Sequence, residues 1–231
     1  MSEIKALINP VTPFQQNAPI IYCEETKKCG FVDPGGDLNL LLASAAKNDL
    51  IPEKIFLTHG HIDHAAGATE LASTLNLKII GPHIDDKFLL DELEAQGSML
   101  GISAQNCSPD IWLDDGDTIS VGNAELDVLL TPGHTPGHVI FFHKPSKLAI
   151  VGDVLFAGSV GRTDLPGGDY EQLIKSIKNK LWPLGEDIAF IPGHGPASNF
   201  RIENFGKLIS EYNGSINKFP YSLIPILPVA D

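Results

Sequence analysis

Between Thr58 and Gly67 the chain reads Thr-His-Gly-His-Ile-Asp-His-Ala-Ala-Gly, with three imidazoles and a carboxylate inside six positions. Burying such a cluster is costly unless each group finds a partner or a cation. Neutral imidazole and carboxylate together are donors for a borderline divalent ion such as zinc, manganese or iron. Ile55, Phe56, Leu57 and Thr58 predict a short buried strand before the run. Ala68, Leu71, Ala72 and Leu75 follow it at i, i+3, i+4 and i+7 and predict a helix. The run therefore sits on a strand-to-helix turn. His59 and His61, two apart, share a side of extended backbone, whereas Asp63 and His64 open the helix and face elsewhere. This spacing points to two ligand pairs serving two adjacent positions.

Three further predicted strands end in candidate donors. Residues 125–130 lead into Thr131-Pro132-Gly133-His134, residues 148–151 into Gly152-Asp153, and residues 188–191 into Pro192-Gly193-His194. Loops at the carboxyl ends of strands converge on one rim in layered α/β folds. The set His59, His61, Asp63, His64, His134, Asp153 and His194 is too large for one tetrahedral ion. It fits two ions: one on His59, His61 and His134, the other on Asp63, His64 and His194, with Asp153 bridging. Such a pair lowers the pKa of bound water from about 15.7 to about 7, which makes a hydroxide nucleophile available at neutral pH. Thr-Pro-Gly-His occurs at 131–134 and again at 135–138, and spacing does not choose between His134 and His138. His83 and His143 lack a comparable setting and are expected to be surface or core residues.

The 231 residues suffice for one large domain or two small ones, and 43% of them are apolar. A net charge of −13 argues against nucleic acid as the main partner. Cys23, Cys29 and Cys107 form neither a disulfide framework nor a thiolate metal motif, and are expected to be free thiols at least half buried. No signal peptide and no membrane-length apolar run is visible, so a reducing cytoplasm is the expected compartment.

Short strands are predicted at 4–8, 19–24, 28–33, 77–81, 119–121, 125–130, 139–143, 148–151 and 188–191. Asp37 is the expected N-cap of a helix carrying Leu38, Leu41, Leu42 and Ala45, and Asp169 that of a helix with Gln172 three residues on. A helix over 83–97 is expected to turn Asp85, Asp86, Asp91 and Glu92 to solvent, with irregular chain over 98–110. Asp114 to Asp117 predicts a tight turn. A helix is expected over 202–212. Residues 218–231, with Pro220, Pro225 and Pro228, are expected to form an apolar tail that docks on the body or helps build a homodimer. Hairpins followed by alternating strands and helices, twice over, predict two mixed sheets packed together with helices outside.

The motifs Thr58-His59-Gly60-His61-Ile62-Asp63-His64, Pro132-Gly133-His134, Gly152-Asp153 and Pro192-Gly193-His194-Gly195-Pro196 resemble the signatures of the metallo-β-lactamase superfamily. Order and spacing match across nearly the whole chain. The resemblance implies an α/β fold, the αββα four-layer sandwich of two mixed β-sheets flanked by helices, with the metals at one edge. It makes His134 the ligand and His138 a supporting residue. Pro10 to Asn17, Asp33-Pro34-Gly35-Gly36 and Val160-Gly161-Arg162-Thr163-Asp164 resemble the short, single-domain bacterial members of the glyoxalase II branch. That implies residues 1–217 as the hydrolase domain, no separate glutathione-binding helical domain, and Arg162 near the substrate. The activity implied is thioester hydrolysis of S-lactoylglutathione or similar acyl-glutathiones, using two divalent ions, with zinc, iron and manganese as candidates. Asp63 holds a metal and serves as a proton acceptor. A mononuclear-iron persulfide dioxygenase using His59, His134 and Asp153, or a lactonase, is the alternative on the same fold.

Overall fold

The computed structural model describes residues 2–203; the expected tail at 218–231 and nearly all of the expected helix at 202–212 lie outside them. The first half of the chain runs through β1 (Ile4–Leu7), a small hairpin β2 (Pro10–Val11) and β3 (Gln16–Asn17), then β4 (Ile20–Cys23), β5 (Lys28–Val32), α1 (Leu38–Lys47) and β6 (Ile51–Phe56). It continues with α2 (Ile62–Ala65), α3 (Ala68–Leu75), β7 (Lys78–Ile80), a 3-10 turn (Ile84–Asp86), α4 (Lys87–Leu90) and α5 (Leu93–Leu100). The second half contains β8 (Thr118–Val121), β9 (Ala124–Leu130), β10 (Val139–His143) and β11 (Leu148–Gly152). A hairpin of β12 (Leu155–Phe156) and β13 (Ser159–Val160), then α6 (Tyr170–Ser176), β14 (Ala189–Pro192) and β15 (Ser198–Asn199) complete it.

Two mixed sheets result, one of five strands in the order β1-β4-β5-β6-β7 and one of six in the order β15-β14-β11-β10-β9-β8. The inner strands β4, β5, β10 and β11 are buried on both faces and read as apolar runs, whereas β9 alternates, with Glu125 and Asp127 exposed. Ile20, Phe31, Ile55 and Ile79 face α1 and α3, while the next residue in each case, Ile21, Val32, Phe56 and Ile80, faces the other sheet. In the second sheet Phe141, Ile150 and Ile191 meet that central core, and Ile140, Phe142, Val151 and Phe190 pack outward against Leu173 and Ile177. Helix, sheet, sheet and helix thus form four layers, as expected.

Several local expectations are corrected. Asp37 does not cap α1 with its side chain: its φ is 48°, and its Oδ2 accepts from the Thr12 backbone N–H at 2.6 Å. The helix after the histidine run breaks into α2 and α3 at Gly67, whose N–H donates to Pro34 O at 3.0 Å. A Cβ at Gly67 would lie 2.5 Å from that oxygen, so only glycine permits the approach. The helix expected over 83–97 is three pieces extending to Leu100, and Asp86 is fully buried within it, not solvated. After Ser176 the α6 helix widens into a π turn (Ile177–Leu181). The hairpins β2/β3 and β12/β13, too short for a periodic signal, were not anticipated.

Asp169 does cap α6, its Oδ1 accepting from Gln172 N–H at 3.0 Å. The Asp114–Asp117 turn is closed by Asp117 Oδ2, which accepts from Asp114 N–H at 2.8 Å. All three cysteines are free and buried. Among the described residues no helix is long and apolar enough to cross a membrane.

The central layer offers a direct check. Phe56 is fully buried and its ring centroid lies 5.7 Å from that of Phe141 across the sheets. Phe56→Ala is expected to destabilise the chain by about 3–5 kcal/mol, through lost burial and a residual cavity. The urea midpoint should fall with an unchanged m-value.

Candidate metal centre

All seven candidate donors lie just past strand ends along one edge of the sandwich. The β6 end leads into His59 and His61, β9 into His134, β11 into Asp153 and β14 into His194. One ligand atom from each of His59, His61 and His134 falls within 4.8 Å of the others, and the same is true of Asp63, His64 and His194. A third group, Asp33, His59 and His64, is equally close, so His59 and His64 lie against each other as well as in separate triads. Asp153 reaches both triads: Oδ1 is 3.4 Å from His64 Nε2, and Oδ2 is 3.5 Å from His134 Nε2 and 3.7 Å from His194 Nε2. Gly193 admits this crowding, because a Cβ there would sit 2.0 Å from Asp153 Oδ1.

Hydrogen bonds behind the cluster set the histidine tautomers. His64 Nδ1–H donates to Asp33 Oδ2 at 3.0 Å, and His134 Nδ1–H donates to the Arg162 carbonyl at 2.7 Å. The Thr58 hydroxyl donates to Asp33 Oδ2 at 2.6 Å, leaving its lone pairs to accept from His59 Nδ1–H at 3.0 Å. Each arrangement puts the proton on Nδ1 and the lone pair on Nε2, the form a metal ligand needs. His61 Nδ1 faces His134 Nε2 at 2.9 Å. Buried side-chain atoms without a hydrogen-bond partner concentrate here: His59 Nε2, His61 Nε2, His64 Nε2 and Asp153 Oδ1. Orphaned buried acceptors are rare in folded chains. Their convergence, with tautomers fixed from behind, fits two cations with three protein donors each and a shared carboxylate.

Burial pushes the pKa of His59 and His61 well below the ordinary imidazole value, and neighbouring imidazoles add to the shift. Burial also opposes charge on His64, yet the Asp153, Asp63 and Asp33 carboxylates outweigh it and raise its pKa to about 10. Burial opposes ionisation of Asp63, but His64 and His194 more than compensate and hold it well below the usual carboxylate range. The carboxylates thus draw positive charge into a buried space.

His138 stands beside the centre. Its Nε2 accepts from the Asp153 backbone N–H at 3.1 Å, and its ring stacks on His59 with centroids 4.8 Å apart. Arg162 contributes its carbonyl to His134, while its guanidinium makes two 2.7 Å bonds to the Asp164 carboxylate. His83 and His143 lie outside the cluster; His143 is buried and accepts from Ser146 N–H at 3.2 Å.

Sequence reasoning missed Asp33 and Asp86 as individual site residues. Asp33 carries a signal, a carboxylate ending an apolar strand before Pro-Gly-Gly, whereas the burial of Asp86 follows only from tertiary packing. A cleft of about 360 Å³ adjoins His194, with Ile8, Pro10, Phe14 and Pro196 forming an apolar wall. A larger cleft of about 680 Å³ lies along α6, and none of the candidate ligands lines it.

The pattern of the Metallo-beta-lactamase superfamily matches residues 11–194. The chain is 42% identical over 190 residues to the hydroxyacylglutathione hydrolase GloC of Haemophilus influenzae, covering 81% of this chain and 89% of that protein. The crystal structure of the BLEG-1 B3 metallo-β-lactamase superposes with a TM-score of 0.78 at 33% identity, covering 87% of this chain and 96% of that one. The di-iron-bound form of TTHA1623 superposes with a TM-score of 0.77, also at 33% identity, covering 86% and 96%.

Asp33 orients one histidine of each triad, His64 directly and His59 through Thr58. Asp33→Asn is therefore expected to weaken metal binding by about 10–100-fold, read in a zinc titration.

Proposed function

This chain belongs to the metallo-β-lactamase superfamily, and from that premise we propose that it is a thioester hydrolase acting on S-lactoylglutathione and similar acyl-glutathiones. The likeness to GloC carries the substrate reading, and the two triads support a binuclear centre. His59, His61 and His134 would hold one divalent ion, Asp63, His64 and His194 the other, and Asp153 both. Such ions supply Lewis acidity toward a carbonyl oxygen and make a water acidic enough to serve as nucleophile at neutral pH. The donor set suits zinc first, and iron or manganese as well; the di-iron form of TTHA1623 supports iron as the second choice.

The chain's own residues do the rest. Asp63 stays ionised at neutral pH, which both its ligand role and its role as proton acceptor require. His138 fixes Asp153 through the backbone, so the shared carboxylate keeps its place between the triads. The apolar wall of Ile8, Pro10, Phe14 and Pro196 offers a dry surface for the organic part of the substrate beside His194. Arg162 sits next to the loop of His134 and is proposed to meet a carboxylate of the glutathione portion, in competition with Asp164. The leaving thiolate is stable enough to need no strong general acid. Residues 1–217 are proposed as the catalytic domain. A cytoplasmic location is proposed from the three free thiols. The proposal that residues 218–231 help form a homodimer concerns residues outside those described.

Metal analysis on the same preparation as a thioester panel tests the reading. Turnover of S-lactoylglutathione by chain carrying two ions is the expected result, and its absence with both sites filled overturns it. Oxygen uptake with glutathione persulfide would instead support the mononuclear-iron dioxygenase, and turnover of lactones or β-lactams alone would move the substrate class. His134→Ala is expected to lower kcat/KM by more than about 100-fold, because it removes a donor from one ion.

A further inference from the structure

We propose that Asp86 is a positioning residue that locks the His59–His61 turn to the Thr135–Gly137 turn and thereby sets the His59/His61/His134 half of the centre selectively. The inference rests on the metal reading above, not on the thioester substrate. Asp86 ends the 3-10 turn before α4 and is fully buried. Its Oδ2 accepts from the Gly60 backbone N–H at 2.8 Å and from the Thr135 hydroxyl at 2.8 Å, and its Oδ1 accepts from the Gly137 backbone N–H at 2.6 Å. Among the described residues it makes no ion pair. A buried carboxylate satisfied by three neutral donors is costly to assemble, and here every side-chain acceptor bond serves a ligand-bearing turn. Gly60 lies between His59 and His61, Thr135 follows His134, and Gly137 precedes His138, which holds Asp153. One carboxylate thus ties together turns that belong to different sheets.

The other triad is held by different means. Asp63 and His64 sit on α2, with Asp33 behind His64. The His194 turn is held by Asn17, whose Nδ2 donates to Pro192 O at 2.9 Å and Gly195 O at 2.8 Å. None of these bonds involves Asp86. Loss of its carboxylate should therefore loosen the His59/His61/His134 ion far more than the other, which it reaches only through His138 and the shared Asp153, a selectivity that a general contribution to folding does not produce.

The test is a zinc titration of the full chain, with affinities read directly and not through activity. Wild type should take two ions, and Asp86→Asn should weaken one by about 10–100-fold, the range for groups that orient ligands, and the other by a clearly smaller factor. In a His61→Ala background, where that ion is already lost, Asp86→Asn should add little; in a His194→Ala background it should weaken the one ion remaining. Thr135→Val removes a single donor and keeps the charge. It should act on the same ion in the same direction by a smaller factor, and it serves where Asp86→Asn does not fold. Unchanged affinities in both variants, or equal loss at both sites, would overturn the inference. A wild-type chain that binds no metal would overturn the metal reading and this inference with it, whereas absent thioester turnover in a chain that binds two ions leaves this inference standing.

Discussion

The Asp33 carboxylate accepts three hydrogen bonds at once, from the Thr58 backbone N–H at 2.7 Å, the Thr58 hydroxyl at 2.6 Å and His64 Nδ1–H at 3.0 Å. With only 2% of its surface exposed, it needs all of them. The consequence reaches further than its own satisfaction. The Thr58 hydroxyl, committed as a donor to Asp33, can only accept from His59, so a single anion sets two imidazole tautomers in different triads. The lone pairs of His59 and His64 then point to a common space because their other nitrogens have no alternative. The centre is organised from behind, before any cation enters.

The architecture makes that arrangement possible. The parallel pairs β5/β6 and β11/β14 send consecutive loops to the same end of each sheet. The two main sheets are stitched at that end by a backbone bond, Val139 N–H donating to Thr58 O at 2.8 Å, and the small β2/β3 hairpin is tied to the His194 turn by Asn17 N–H donating to Gly193 O at 2.7 Å. Each bond joins a strand end to a ligand-bearing turn. The apolar layer between the sheets, with Phe56, Phe141 and Ile191, ends just beneath them. An apolar floor of this kind lowers the local dielectric, which strengthens the electrostatic interactions above it.

The parts legible in the sequence were those carried by short-range chemistry. The histidine run, the Gly-Asp at Asp153 and the Pro-Gly-His turns name their own donors, and the strands before them follow from apolar runs. Their convergence could be argued because strand ends share an edge in layered folds. Asp86 was hidden for a physical reason: it lies in an acidic stretch with Asp85 and Asp91, and composition favours a solvated face for all three. Only the approach of Gly60, Thr135 and Gly137 from elsewhere in the chain turns one of them inward. Asp37 misled for the related reason that an Asx residue before a helix serves equally well as an acceptor for a neighbouring turn. The choice between His134 and His138 was undetermined by spacing, and the structure separates them by what each faces: His134 the donor cluster, His138 the Asp153 amide.

The two triads differ in charge as well as in support. His59, His61 and His134 are all neutral imidazoles, whereas Asp63 adds a carboxylate to His64 and His194, and Asp153 is shared. On the binuclear reading, two divalent ions would bring four positive charges against the negative charges of Asp63 and Asp153. The surplus would remain positive even after Asp33 is counted, in a chain whose overall charge is −13. On the proposed thioester reading, such a surplus would stabilise the negative charge that develops on the carbonyl oxygen and on the leaving sulfur. The all-imidazole half, with no carboxylate of its own, is the more electron-poor of the two. On the same reading His59, His61 and His134 would hold the more Lewis-acidic ion, and Asp63, His64 and His194 the other.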